Sequence, residues 1–214
     1  MQVAVAGGHG QIALRLTRLL RDRGDSVRSL IRNPAHSDDV REAGGEPVVC
    51  DLEQANENDV AEAVGPVGAV VFAAGAGPGS GPERKETMDF GGAVKLLAAV
   101  KANGIPRYVI VSAIGADPDL EGDETFAVYV RAKGRADAEL ASSGLEYTIV
   151  RPGSLTDDPG TGGVEVGERL DGGSISRDDV AAVVAEALHH PAAAGRTFDV
   201  IAGETPVEQA IASL

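Results

Sequence analysis

Two side chains in the second half of the chain are spaced to act together. Tyr129 and Lys133 are four residues apart, and on a helix that spacing places both on one face. An ammonium beside a phenol stabilises the phenolate form, and such a phenol can donate a proton to an oxygen atom or take one back. The same spacing fits an amphipathic helix with a half-buried tyrosine and a lysine that reaches solvent. The pair predicts either an acid–base site or a structural helix face.

A glycine-rich turn near the start of the chain has the composition of an anion site. It follows the apolar residues 3–6, precedes an amphipathic stretch, and consists of Gly7, Gly8, His9, Gly10, Gln11 and Ile12. Glycine lets the backbone approach a pyrophosphate closely, and the helix that follows offers free N–H groups and the positive end of its dipole. Because the turn joins a first strand to a first helix, it predicts a dinucleotide site rather than an ordinary turn.

The residue near the end of the second predicted strand indicates which dinucleotide is bound. NAD sites place an acid there to bind the ribose 2′-hydroxyl, whereas NADP sites place a basic group. The strand ends in Arg32, while Asp25 precedes the strand and lies at its wrong end. Arg32 could bind a 2′-phosphate through both arms of its guanidinium, or it could be a solvated arginine at a strand end. We therefore expect NADP(H) as the preferred cofactor, with NAD(H) as the alternative.

The elements that position these residues alternate between strands and helices. Apolar, β-branched stretches predict strands at residues 2–6, 26–31, 47–50, 69–73, 108–112, 146–150 and 197–201. Their continuous apolar character is typical of parallel strands that are covered on both faces. Amphipathic stretches lie between them, and Ser176 has the character of an N-cap. The pattern predicts an α/β fold: one Rossmann-type, doubly wound parallel sheet of about seven strands, with helices on both faces and a single domain over residues 1–214.

Two glycine-rich loops, residues 75–82 and 157–163, follow the fourth and sixth strands. In a parallel sheet both leave the carboxyl ends of strands, where ligands bind. Each loop alone could equally be a flexible connector. Only a small C-terminal region, about residues 154–175, is available to form a substrate site, so we expect a small or open substrate pocket.

Composition narrows the classes of partner. The formal net charge is −14, and such a surface repels nucleic acid. No segment has the apolar length of a membrane span, and residues after Met1 do not resemble a secretory signal. The single cysteine, Cys50, lies in an apolar run and is expected to be a buried, unreactive thiol. We expect a cytoplasmic monomer or homodimer that binds a small-molecule substrate and neither nucleic acid, membrane nor metal.

The chain resembles the atypical short-chain dehydrogenases/reductases, an NAD(P)H-binding group with NmrA-like and flavin-reductase-like members. The glycine turn carries the resemblance first, with His9 and Ala13 in place of the commoner small residue and third glycine. It continues, in the family's order, through residues 30–34, 49–52, 71–75, 108–115, 129–133, 147–153 and 176–180. The matching segments cover nearly the whole chain. They are specific for fold and cofactor, and much less so for the reaction.

The resemblance implies roles for further residues. Asp51 and Leu52 match the pair that contacts the adenine. The residues expected along the adenosine ribose are Ala73, Ala74 and Gly75, and those of the turn beside the nicotinamide are Arg151, Pro152 and Gly153. Ser112 matches the catalytic serine, and Tyr129 and Lys133 match the Tyr-x-x-x-Lys motif. In that setting Ser112 would orient a carbonyl oxygen, Tyr129 would exchange the proton, and Lys133 would also bind the nicotinamide ribose.

Several functions fit these features. The first is an NADPH-dependent reductase or dehydrogenase of a small carbonyl, with Tyr129 as acid or base. A variant is direct hydride transfer to a flat acceptor such as a flavin or quinone, which the short substrate region favours. The alternative from another class is a non-catalytic, NmrA-like redox sensor. A nucleotide-sugar epimerase or dehydratase is less favoured, because such enzymes need a larger C-terminal substrate domain.

Overall fold

The computed structural model describes residues 1–77 and 79–214, so that Pro78, within the predicted loop 75–82, lies outside the described residues. The strands are β1 (Gln2–Ala6), β2 (Ser26–Ile31), β3 (Glu46–Val49), β4 (Ala69–Phe72), β5 (Arg107–Val111), β6 (Glu146–Pro152), β7 (Ser154–Thr156), β8 (Gly163–Gly167), β9 (Ser174–Ser176), β10 (Arg196–Ala202) and β11 (Thr205–Pro206). The helices are α1 (Gln11–Asp22), α2 (Ser37–Glu42), α3 (Glu57–Val64), α4 (Pro82–Arg84), α5 (Ala93–Ala102), α6 (Thr125–Ala141), α7 (Arg177–His189) and α8 (Val207–Ala212). A π-helical segment, Lys85–Gly92, joins α4 to α5. The 3₁₀ turn Pro34–His36 directly precedes α2, and the 3₁₀ turn Pro191–Ala193 precedes β10.

The main sheet has the order β11-β8-β10-β6-β5-β4-β1-β2-β3. The seven strands from β10 to β3 are parallel, whereas β8 pairs antiparallel with β10 and β11. Strand order reverses between β1 and β4, as in a doubly wound fold. The predicted Rossmann-type α/β fold is confirmed.

The predicted strand number was too low, because the described part of the chain has eleven strands. The seven predicted strands are the seven parallel ones. The others are β7, β8, β9 and β11, which have two to five residues each. They lack a continuous apolar run, and β7 and β9 pair only with each other. The hydrophobic pattern therefore did not reveal them.

Two apolar layers cover the sheet. On one face, α1 and α7 pack over buried valines of β1, β4 and β5, and on the other face α3, α5 and α6 pack over the alternate residues. The predicted N-cap of α7 is confirmed, since the Ser176 hydroxyl accepts a hydrogen bond from the Asp179 N–H at 3.0 Å. The two layers hold the parallel strands in register, so their carboxyl ends form one edge.

Candidate functional site

The carboxyl edge of the sheet gathers the predicted site residues. Within two residues of the ends of β1 to β6 lie, in order, Gly7, Arg32, Asp51, Ala73, Ser112 and Gly153. The register explains the grouping, because Ala6 pairs with both Leu30 and Phe72, and Val111 pairs with Val150. The edge divides into a glycine-loop half, at β1 to β4, and a helix-α6 half, at β5 and β6.

The glycine loop is packed so tightly that side chains cannot be added. Gly7 has a φ of +78°, and a Cβ there would lie 2.6 Å from the Cα of Ala74. A Cβ on Gly8 would lie 2.6 Å from the Cβ of Ser29. Gly10 precedes α1, whose start has neither a side-chain cap nor an acidic residue in its first turn. The N–H groups of Gly8 and Gly10 donate to the carbonyl oxygens of Leu30 and Gly7. The first turn of α1 therefore supplies the backbone N–H groups and the positive end of the helix dipole that suit an anion.

A cavity of about 250 Å³ opens beside this loop. The predicted cofactor-binding residues that line it are Gly7, His9, Gly10, Arg32, Asp51, Leu52, Ala73, Ala74 and Gly75. The lining also includes residues that were not predicted to bind the cofactor, among them Asn33, His36, Cys50, Arg84 and Met88. The predicted residues outside this lining are Gly8, Gln11, Ile12, Ser112, Tyr129, Lys133, Arg151, Pro152 and Gly153. The cavity thus brings together part of the glycine turn, which was expected around the pyrophosphate, and the residues expected around the adenosine.

Side chains at the rim of the cavity are ordered by one another. The His9 ring stacks on His36 with 3.6 Å between centroids, and its Nε2 lies 2.7 Å from a carboxylate oxygen of Asp39. The Lys95 ammonium of α5 donates to the carbonyl oxygens of Leu52 and Ala55, at 2.6 and 2.7 Å. These contacts hold the glycine loop against the segment that follows β2, and the chain after β3 against α5.

The thiol of Cys50 also faces this cavity and is buried. Burial raises its pKa, and the negative charges of Asp51 and Asp59 add to the effect. A thiol with a raised pKa stays protonated and is a poor nucleophile. This agrees with the expectation of an unreactive cysteine.

In the helix-α6 half, Ser112 is engaged by a buried carboxylate. Its hydroxyl donates to Oδ2 of Asp137 at 2.9 Å, and the Arg151 Nε donates to the same oxygen at 2.8 Å. Burial raises the pKa of Asp137 against the opposing effects of Arg151, Ser112 and Lys133. The other oxygen of Asp137 is buried and has no hydrogen-bond partner among the described residues. Ser112 and Arg151 are therefore joined through one buried carboxylate, that of Asp137.

Lys133 is buried beneath Tyr129 on the same face of α6. Its ammonium donates to the carbonyl oxygen of Val111 at 3.1 Å and lies 3.3 Å from Oδ1 of Asp89. The second oxygen of Asp89 accepts from the Ala76 N–H at 3.1 Å. The Lys133 ammonium lies 6.0 Å from the centroid of the half-buried Tyr129 ring.

The structure thus joins Tyr129 and Lys133 on one face and brings Ser112 and Arg151 together, but Tyr129 and Ser112 share no hydrogen bond among the described residues. Sequence reasoning missed Asp89, Asp137 and Lys95. For Asp137 a signal existed, since it continues the Tyr129–Lys133 spacing by another four residues. Asp89 lies in the π-helical segment, a feature that often marks functional sites but has no clear sequence signature.

Across residues 1–77 and 79–214, no helix has both the length and the apolar character needed to cross a membrane. Nor do three or more histidine, cysteine, aspartate or glutamate side chains there form a group that could hold a metal ion.

Comparisons with known proteins agree with this geometry. The sequence profile of the NAD(P)H-binding family matches residues 7–191. The chain is 39% identical over 215 residues to the uncharacterized sugar epimerase YhfK of Bacillus subtilis, and the match covers all of both chains. A solved structure from Bacillus halodurans, assigned provisionally to the NAD-dependent epimerases/dehydratases, superposes with a TM-score of 0.93 at 37% identity and full coverage of both chains. ChuY, an anaerobillin reductase from Escherichia coli O157:H7, shares the fold, with a TM-score of 0.79, 24% identity and coverage of 94% of this chain and 97% of its own.

The family profile spans most of the chain, and the solved neighbours have the same Rossmann-type architecture. Both findings agree with the dinucleotide site that the glycine loop and the cavity at the carboxyl edge of the sheet indicate. They confirm the family to which the sequence motifs pointed. The chain belongs to the NAD(P)H-binding family of atypical short-chain dehydrogenases/reductases.

Proposed function

We propose that the protein is an NADPH-dependent oxidoreductase that transfers hydride between the cofactor and a small carbonyl or a flat redox acceptor. One observation carries the proposal: the glycine loop, Arg32, the Asp51–Leu52 pair and the end of β4 line a single cavity. These are the contact points that a dinucleotide needs for its pyrophosphate, its 2′-substituent and its adenosine. Family membership supports the same cofactor class.

The residues present fit a nicotinamide dinucleotide. A Cβ at Gly7 would collide with Ala74 and one at Gly8 with Ser29, so the loop keeps its close turn only with glycine, whose backbone would then approach a pyrophosphate without a side chain in the way. The start of α1 carries no acid that would repel an anion. When bound, the nicotinamide supplies or accepts a hydride at the reacting carbon.

Tyr129 is the side chain that would exchange the proton. It is half-buried, and among the described residues no protein group accepts a hydrogen bond from its hydroxyl. The Ser112 hydroxyl, in contrast, donates to Asp137 and cannot donate to a carbonyl oxygen at the same time. Ser112 would therefore offer its oxygen lone pairs to the substrate, or would donate only after its contact with Asp137 breaks. Lys133 supplies positive charge beneath the phenol ring.

The first experiment is titration with NADPH and NADH, followed by an oxidation screen of carbonyls, flavins and quinones. Tyr129→Phe should abolish carbonyl turnover and leave the affinity for NADPH nearly unchanged. An unchanged carbonyl rate would remove the tyrosine from the mechanism. Activity that appears only with flat acceptors and survives Tyr129→Phe would select direct hydride transfer. NADPH binding without any turnover would select the sensor alternative.

Arg32 supports the preference for NADPH. Its side chain is about half exposed and faces the cavity, where both arms of a guanidinium can bind a phosphate. Arg32→Ala should weaken NADPH by about one to two powers of ten more than NADH, because only NADPH carries the 2′-phosphate. Equal losses for the two cofactors would show that Arg32 does not read this phosphate.

An epimerase is the second candidate, since the names of YhfK and of the Bacillus halodurans protein refer to that class. Against it stands the small region between β6 and α7, which contains only the short strands β7, β8 and β9. Steady net oxidation of NADPH would favour the oxidoreductase, because an epimerase regenerates its cofactor in each turnover.

A further inference from the structure

A half-buried carboxylate, that of Glu53, lies between two arginines, Arg32 and Arg84, that line the cavity. Oε2 of Glu53 accepts hydrogen bonds from Nε and Nη2 of Arg84, both at 3.1 Å. Oε1 accepts from the hydroxyl of Thr87 at 2.7 Å. Glu53 is only 16% exposed, so Arg84 and Thr87 hold its charge in a fixed place.

Arg32 is the loosely attached member of this cluster. Its Nη1 lies 3.6 Å from Oε2 of Glu53, which is beyond hydrogen-bond distance, and its side chain is 55% exposed. Arg32 can therefore turn toward a bound phosphate without losing a strong hydrogen bond. The Glu53 carboxylate stays in place when Arg32 turns, because three hydrogen bonds from Arg84 and Thr87 hold it.

Glu53 retains its negative charge at neutral pH. Burial acts to raise the pKa of this carboxyl, but the hydrogen bonds from Thr87 and Arg84 and the charges of Arg84 and Arg32 together lower it. Any phosphate that binds Arg32 therefore approaches a fixed anion. A ribose 2′-hydroxyl at the same place is neutral and is not repelled.

We propose that Glu53 is a specificity-determining residue that limits the preference for NADPH over NADH by competing with the 2′-phosphate for Arg32. The inference rests on the proposed function, since it requires a dinucleotide whose 2′-substituent lies at Arg32. Arg84 and Thr87 act as positioning residues that keep the competing carboxylate in place. The cluster thus reduces the affinity for the 2′-phosphate that Arg32 would otherwise provide.

The test is the ratio of the dissociation constants for NADPH and NADH, measured by fluorescence titration at low ionic strength. Glu53→Gln removes the charge and keeps the side-chain length. It should tighten NADPH by about tenfold, the gain expected for removing one charge several ångströms from a phosphate dianion. NADH should change by no more than about twofold, since its 2′-hydroxyl is neutral.

Glu83→Gln is the matched control. Glu83 is an exposed acid in α4, next to Arg84, so its loss changes the net charge equally, while solvent screens its effect. It should leave the ratio nearly unchanged. Glu53→Ala, measured in parallel, should shift the ratio in the same direction as Glu53→Gln. A general loosening of the site would weaken both cofactors and leave the ratio as it was.

Two results would overturn the inference: a ratio that is unchanged in both Glu53 variants, whether or not both cofactors are weakened equally, or a ratio that moves toward NADH. Each would mean that Glu53 supports the local structure without competing for Arg32. Failure of the proposed function has a different signature. In that case the wild-type protein binds neither cofactor, or Arg32→Ala leaves the ratio unchanged.

Discussion

The contact between Lys133 and Asp89 leads to the sharpest prediction about stability. Both side chains are buried, and the ammonium lies 3.3 Å from the carboxylate. Lys133→Met removes the positive charge and keeps most of the side-chain volume. The carboxylate of Asp89 would then be left in the interior without a counter-charge.

The cost can be estimated from this distance. Two unit charges 3.3 Å apart attract by about 5 kcal/mol at an effective dielectric constant near 20. Removal of one partner from a buried ion pair costs about 3–5 kcal/mol, because the other charge stays desolvated. We therefore expect Lys133→Met to lower the free energy of unfolding by about 3–5 kcal/mol. The Lys133→Met/Asp89→Asn double variant should regain at least about 1 kcal/mol of that loss.

The assay is urea unfolding of the wild type, both single variants and the double variant, which together form a double-mutant cycle. A loss below about 1 kcal/mol for Lys133→Met, or additive effects in the cycle, would refute a buried pair. The result also bears on catalysis. If the prediction holds, inactivity of Lys133→Met is not proof of a chemical role, and only variants that remain folded can test the Tyr129–Lys133 pair.

Two further predictions concern packing and pH. Gly8→Ala should weaken the binding of NADPH and NADH alike and lower the free energy of unfolding by about 1–3 kcal/mol, since the added Cβ would lie 2.6 Å from Ser29. Gly68→Ala is the control, because a Cβ there would meet its nearest neighbour at 3.7 Å. Unequal effects on the two cofactors would contradict the assignment of the loop to the pyrophosphate. Burial raises the pKa of Asp137 above that of an unfolded aspartate, so ionisation is less favourable in the folded protein. The stability that the neutral carboxyl contributes is therefore lost as the pH rises from the unfolded pKa through the folded one. The unfolding free energy of the wild type, measured against Asp137→Asn from about pH 4 upward, should therefore fall with pH, and a constant or rising difference would contradict the raised pKa.

Much of the fold was predictable because parallel strands carry a strong local signal. The predicted bounds of β1 and β2 agree with the structure, and the other five parallel strands differ by one or two residues at their ends. A strand covered on both faces must be apolar throughout, so the sequence alone identifies it. The strands β7 and β9 have only three residues each, and although Ile175 of β9 is buried in the core, a run of that length shows no local pattern that identifies a strand.

The candidate site was predictable where backbone geometry restricts residue type. Gly7 and Gly8 must be glycines because neighbouring chain fills the Cβ positions. Pairings between distant segments were not predictable. Asp89 meets Lys133, and Glu53 meets Arg84, only after the π-helical segment has packed beside α6 and the chain following β3. Such contacts depend on tertiary structure, and neither spacing nor composition specifies them.

Calorimetric titration of the wild type and of Gly8→Ala with NADPH tests most directly whether the glycine loop binds a pyridine dinucleotide. Saturable one-to-one binding by the wild type, weakened at least about tenfold in the variant, is the predicted result. Absence of heat with both NADPH and NADH at millimolar concentration, or equal affinity in a folded variant, would contradict the assignment of this loop as the cofactor site.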